Sequence, residues 1–159
     1  YTYYELLAFQ KAAGIKLDLI DAGSTSDKIT AMLSGQIDLM PAPYVNCKDY
    51  VASGKFACIA VPADKKYDLV KQFPTLKEQG VNMAYPNQEF SFYFQKDTPD
   101  NVIAFYDKLT KSIIDDPECQ KTLTGMSMMP NYKNPADTEK TEKDTYDTIK
   151  KIADELAKK

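Results

Sequence analysis

Over roughly its first sixty residues the chain switches repeatedly between two hydrophobic periods, and that alternation narrows the fold more than any other feature. Residues 3–13 carry Leu6, Leu7, Gln10 and Ala13 at helical spacing and stop at Gly14. Residues 15–21 then alternate apolar and polar as a strand does. A small-residue turn, Ala22-Gly23-Ser24-Thr25-Ser26, leads into a helix expected over 27–34 that ends at Gly35. Residues 36–40 read as a second strand, 45–52 as a third helix and 56–61 as a third strand. Strands separated by helices long enough to cross over a sheet imply a parallel-rich α/β domain.

Beyond Pro62 the rhythm changes. Short helical stretches are expected within 63–72 and after Phe73-Pro74-Thr75-Leu76, and an aromatic strand at 91–95. Three helices then each open on a proline: after Thr98-Pro99, after Asp116-Pro117 and after Asn134-Pro135. Proline suits the first helical turn because its missing N–H is not needed there. Val102, Tyr106, Leu109 and Ile113 form one stripe of the first of these helices; Tyr146, Ile149, Ile152, Ala153 and Leu156 form one of the last. A boundary between two structural contexts is therefore expected near residues 85–90, dividing the chain into 1–85 and 86–159.

Composition removes several function classes. With a net charge of −3 and lysines interleaved with acids, there is no cationic footprint for nucleic acid. Histidine is absent, which removes the usual general base, the imidazole metal ligand and every His-activated nucleophile. Cys47, Cys58 and Cys119 are widely spaced and form no CxxC pair, so no metal site and no cofactor is expected. The acid pairs Asp18/Asp21 and Asp115/Asp116 lack a nucleophile or metal partner; Asp116 before Pro117 suits a helix cap better. The chain is read as a binding protein and not as an enzyme.

Two strand-to-helix junctions are the candidate sites. Gly23, Ser24 and Thr25 join the carboxyl end of a strand to a helix N-terminus, the place where open α/β sheets bind ligands. Free N–H groups and the helix dipole favour anions there, and Ser24 and Thr25 add hydroxyl donors. A purely structural alternative stands beside this: Ser24 and Asp27 have the spacing of a capping box. Pro41, Ala42, Pro43 and Tyr44 repeat the junction after the next strand. Phe90, Phe92, Tyr93 and Phe94 read first as sheet core.

Ordered motifs extend these readings. Ala22-Gly23-Ser24, then Ala31-Met32-Leu33-Ser34-Gly35-Gln36-Ile37-Asp38, then Tyr50 to Lys55 followed by Ile59-Ala60-Val61, then Phe73-Pro74-Thr75-Leu76-Lys77-Glu78-Gln79-Gly80, then the strand end and helix start of Phe94 to Pro99, and Asp116-Pro117-Glu118 appear in sequence. Together they resemble the solute-binding receptors of tripartite tricarboxylate transporters, the Bug-type receptors; Asp97 stands where that pattern usually has glycine. The resemblance implies a two-lobed fold of the type II periplasmic-binding-protein kind, of which this chain matches the C-terminal half. Residues 1–85 would be most of the second lobe, without its first strand and loop, and 86–159 the crossover strand and last helices of the first lobe. It further implies an extracytoplasmic receptor, periplasmic or at the cell surface, with or without a lipid anchor. Such a receptor captures a small carboxylate between its lobes and delivers it to membrane permease subunits; a carboxylate-sensing or protein-interaction module without transport is the alternative. Gly23 to Thr25 and Pro41 to Tyr44 would supply one jaw, so weak binding or none is expected, along with a dimer or strand-swapped assembly that covers unpaired surfaces.

Overall fold

The computed structural model describes residues 1–156. The side chain of Leu156, expected on the apolar face of the last helix, lies outside the described residues. Six α-helices are formed: α1 (Thr2–Ala13), α2 (Thr25–Leu33), α3 (Tyr44–Ala52), α4 (Asp100–Asp115), α5 (Pro117–Gly125) and α6 (Pro135–Leu156), with one 3-10 turn at Asp68–Val70. Their limits follow from local chemistry. Gly14 ends α1 with φ 66°, a left-handed conformation that lets its N–H and that of Ile15 return to carbonyls of the last turn. Asp116 caps α5 by accepting from Cys119 N at 2.9 Å, with Pro117 at the first helical position. Asn134 does the same for α6, accepting from Asp137 N at 2.9 Å.

The expected parallel sheet is not formed among the described residues. Segments 15–21, 36–40 and 91–95 carry no ladder, and 56–61 contributes a single parallel bridge, Val61 to Thr75. There Val61 N donates to Pro74 O at 2.8 Å and Leu76 N to Val61 O at 3.1 Å. The physical reason is that a helix satisfies its own backbone, whereas a strand exists only against a neighbour. The helix expected after Leu76 is likewise a turn. It is held by Thr75 and Glu78, whose side chains each accept from the other's N–H at 3.2 and 2.8 Å.

Contacts divide the chain into two units. The first comprises residues 1–86 with the end of α6 from Ile152, and the second comprises Asn87–Lys151. In the first unit Leu7, Ala31, Ala63, Leu76, Met83 and Tyr85 are buried, and Tyr85 ties α1 to the 81–86 segment. Its ring meets Tyr1 edge-to-face at 5.1 Å, and its hydroxyl donates to Tyr1 O at 3.2 Å. Glu5, one turn further along α1, is half-buried beside it, and burial pushes its carboxyl up to about 7.

In the second unit α4 and α5 pack together, and polar contacts join other segments: Tyr132 donates to Asp107 at 2.6 Å and Ser91 to Glu142 at 2.8 Å. Lys133 pairs with Glu89 at 2.6 Å. The aromatic run expected as sheet core is instead exposed: Phe90 by 82 %, Phe92 by 79 % and Tyr93 by 78 %. The reason is the one that leaves 91–95 without a ladder, since a strand face is buried only when a sheet and a covering layer exist.

Candidate functional site

At the first junction the turn is closed by the chain's own carboxylates. Gly23 takes φ 85°, and its N–H donates to Asp21 Oδ1 at 3.0 Å. Ser24 caps α2 in a complete capping box. Ser24 N and Ser24 Oγ both donate to Asp27 Oδ2, at 2.9 and 2.7 Å, and Asp27 N returns to Ser24 Oγ at 3.3 Å. The hydrogen bonds from Ser24 hold the Asp27 carboxyl below its ordinary range, so it is ionised at neutral pH. A negative charge therefore already sits on the N-terminus of α2. Of the three residues named from the sequence, Gly23 and Ser24 have their N–H groups engaged internally. Thr25 stands at the first helical position, where neither its N–H nor that of Ser26 has an acceptor inside the helix.

The second junction differs. Pro43 stands at the cap position of α3 with φ −58° and ψ 136°, and no side chain caps the helix. Proline has no side-chain acceptor to offer, so the N–H groups of Tyr44 and Val45 at the helix start are left to an outside acceptor. Tyr44 itself is anchored: its ring meets Phe73 edge-to-face at 5.7 Å, and its hydroxyl accepts from Gln72 Nε2 at 3.4 Å. Pro41 and Ala42 are half-buried and lead into this turn.

An open hollow of about 580 Å³ lies against the first junction, lined by Ile20, Ala22, Asp27, Thr30, Ala31, Gln36 and Ile37. Ala22 and Asp27 flank the predicted loop, but Gly23, Ser24 and Thr25 themselves are not in its lining, nor is any of Pro41 to Tyr44. Thr30 and Gln36 are polar lining groups that sequence reasoning did not single out. For Gln36 the signal was present in the Gly35-Gln36-Ile37-Asp38 motif, which places it three residues past the end of α2; Thr30, inside the helix, carried none. Among the described residues no cluster of acids and cysteines has the arrangement of a metal site, and no helix is long and apolar enough to cross a membrane.

Comparison with known proteins bears on this geometry. The chain matches, over 97 % of its length, a TctC solute binding protein from Polaromonas solved without ligand, at 17 % identity and a TM-score of 0.71. It matches over 96 % of its length an R. palustris protein solved with adipate, at 16 % identity and a TM-score of 0.73. These likenesses assign a periplasmic-binding-protein-like fold. The chain spans about half the length of each, 53 % and 52 %. No curated protein matches it. The pattern of the tripartite tricarboxylate transporter family receptor covers residues 4–157, and the chain belongs to that family.

Proposed function

We propose that this chain is part of an extracytoplasmic solute-binding subunit of a tripartite tricarboxylate-type transporter, capturing a small carboxylate between two lobes for delivery to a membrane permease. The observation that carries this is family membership over 4–157 combined with two helix N-termini, those of α2 and α3, each opening directly after the turn named from the sequence. The adipate of the R. palustris relative supports a carboxylate as the ligand class. The role is binding: backbone N–H groups converge on an anion, and no general base or nucleophile pair accompanies them. In this reading residues 1–85 belong to the second lobe and residues 86–159 to the first. Segments 15–21, 36–40 and 56–61 would ladder once that lobe's sheet is complete.

The ligand-contacting set is Gly23, Ser24, Thr25, Pro41, Ala42, Pro43 and Tyr44. Within it the donors best supported are the N–H groups of Thr25 and Tyr44, joined by those of Ser26 and Val45. Two or three charge-assisted bonds at about 1.5–3 kcal/mol each, less an association cost of at least about 4 kcal/mol, leave a Kd of about a millimolar at the tightest. Titrating the ¹⁵N-labelled chain with adipate, citrate and acetate should shift the amides of residues 23–26 and 43–45 at millimolar concentrations. The Asp27→Asn variant, which removes the like charge at α2, should bind more tightly. Amide spectra unchanged by every carboxylate would overturn the assignment of these junctions.

The exposed Phe90, Phe92 and Tyr93 extend the proposal to assembly. An aromatic strand without a sheet presents both unpaired backbone and apolar surface, the combination that favours pairing with a second copy. Light scattering should report a dimer or larger species. Glutamate at Phe92 should shift it toward monomer, and a monodisperse wild-type monomer would rule the idea out.

A further inference from the structure

The turn after α3 brings the segment that carries Cys58 back along the helix that carries Cys47. Ser53 and Gly54 end the helix, and the N–H groups of Lys55 and Phe56 both return to Tyr50 O, at 2.9 and 3.1 Å, so the chain doubles back on α3. The Phe56 ring stacks on Tyr50, with centroids 4.9 Å apart and planes at 25°. That stack sets the register. Along the returning segment Phe56, Cys58 and Ala60 are half-buried while Ala57 and Ile59 are exposed, so Cys58 faces the same side as Phe56. Along α3, Tyr44, Cys47 and Tyr50 are half-buried one turn apart, so Cys47 shares the face that carries Tyr50. Moving from the stack one turn back along the helix advances about 4.5 Å. Moving two residues on along the returning segment advances about 6.6 Å. Both steps run in the same direction and end at Cys47 and Cys58.

We propose that Cys47 and Cys58 are a redox-active pair that closes to an intramolecular disulfide, stapling α3 to the segment that follows it. Both thiols are free in the structure. The charge of an ionised Cys47 adds to the burial that raises the Cys58 thiol, and Cys58 donates to Ala60 O at 3.8 Å. Cys58 borders an open hollow with Phe9, Pro74 and Leu76, which gives a reagent access to its sulfur. Cys119, at the start of α5 in the other unit, has no cysteine near it in sequence and serves as the internal control.

The chemistry is exchange with a disulfide oxidant, either a small-molecule disulfide or that of a thiol oxidoreductase. The thiolate of Cys58 attacks one sulfur of the oxidant, forming a mixed disulfide and releasing one thiol. Cys47, as thiolate, then attacks Cys58 Sγ and releases the second thiol. The protein gives up two protons and two electrons, and the oxidant is reduced to two thiols. Burial raises both thiols above their ordinary range, so exchange is slow at neutral pH and quicker in mild alkali. The staple would fix α3, whose N-terminus carries the Pro41 to Tyr44 junction. That consequence rests on the proposed function, but the pairing does not.

The test is incubation of the folded chain with oxidised glutathione at about pH 8.5, then alkylation and peptide mass mapping. The expected result is loss of two of the three alkylatable thiols, a cross-linked peptide pair containing Cys47 and Cys58, Cys119 fully alkylated, and a Tm raised in the wild type. The Cys47→Ser/Cys58→Ser double variant should show no redox-dependent Tm. Cys47 and Cys58 both alkylated, or Cys58 left as a stable glutathione adduct, would overturn the proposal. Carboxylate titration of the reduced chain remains an independent readout of the functional reading.

Discussion

Replacing Glu5 by glutamine should stabilise the chain by about 2–3 kcal/mol at pH 8 and change it little at pH 4. Glu5 lies on α1 near Tyr85, and withdrawal from water lifts its carboxyl from 4.5 to about 7. The neighbouring phenol of Tyr85 is itself pushed up to about 12, first by burial and then by the charge of Glu5 and by Tyr4. Below pH 4.5 the carboxyl is protonated in both the folded and unfolded chain, and Glu5 carries no penalty. As pH rises from there to about 7 the unfolded chain releases the proton while the folded chain keeps it, so stability falls. Each pKa unit corresponds to about 1.4 kcal/mol, which sets an upper bound of about 3.5 kcal/mol; residual solvation at a half-buried site lowers it. Urea unfolding at intervals from pH 4 to 8 reads the effect directly. Parallel profiles for the wild type and Glu5→Gln would show that Glu5 is not desolvated by folding.

The second large effect is expected at Gly23→Ala, a loss of about 2 kcal/mol. Two independent strains combine there. At φ 85° an L side chain collides with its own backbone, costing about 1–2 kcal/mol. The new Cβ would also stand 2.9 Å from Asp27 Oδ2, the atom that receives both donors of Ser24, so the capping box must open. Losing a cap costs about 1 kcal/mol. The lower chain entropy of alanine in the unfolded state returns about 0.4–1 kcal/mol. A double-mutant cycle separates the two strains, because in an Asp27→Ala background only the φ term remains. Gly23→Ala should therefore cost about 1 kcal/mol less there than in the wild type. Equal costs in both backgrounds would mean that Asp27 does not occupy the space the structure gives it.

The two junctions of the proposed jaw exchange their order of merit once the structure is seen. By sequence the Gly23 to Thr25 loop looked the richer donor, with a glycine to turn the backbone and two hydroxyls. In the structure those donors are largely consumed by Asp21 and Asp27, while α3 begins behind a proline that leaves its first N–H groups uncapped. The capping box was legible in the Ser24-to-Asp27 spacing, and the missing cap of α3 was legible in Pro43. The hollow beside α2, with Thr30 and Gln36 in its wall, was not, because it depends on how segments distant along the chain come together.

The same division runs through the whole protein. Sequence by itself determined α1 to α6 with their stops, though not the turn after Leu76, and the family pattern over residues 4–157. A helix closes its hydrogen bonds within a few residues, so Gly14, Asp116-Pro117 and Asn134-Pro135 carry all the information needed. Tertiary structure alone decided which apolar segments find partners. It left Phe90, Phe92 and Tyr93 exposed and residues 15–21 without a ladder, and brought a half-buried Glu5 near Tyr85. Each of these turns on groups far apart in the chain, and no local preference encodes whether the partner arrives.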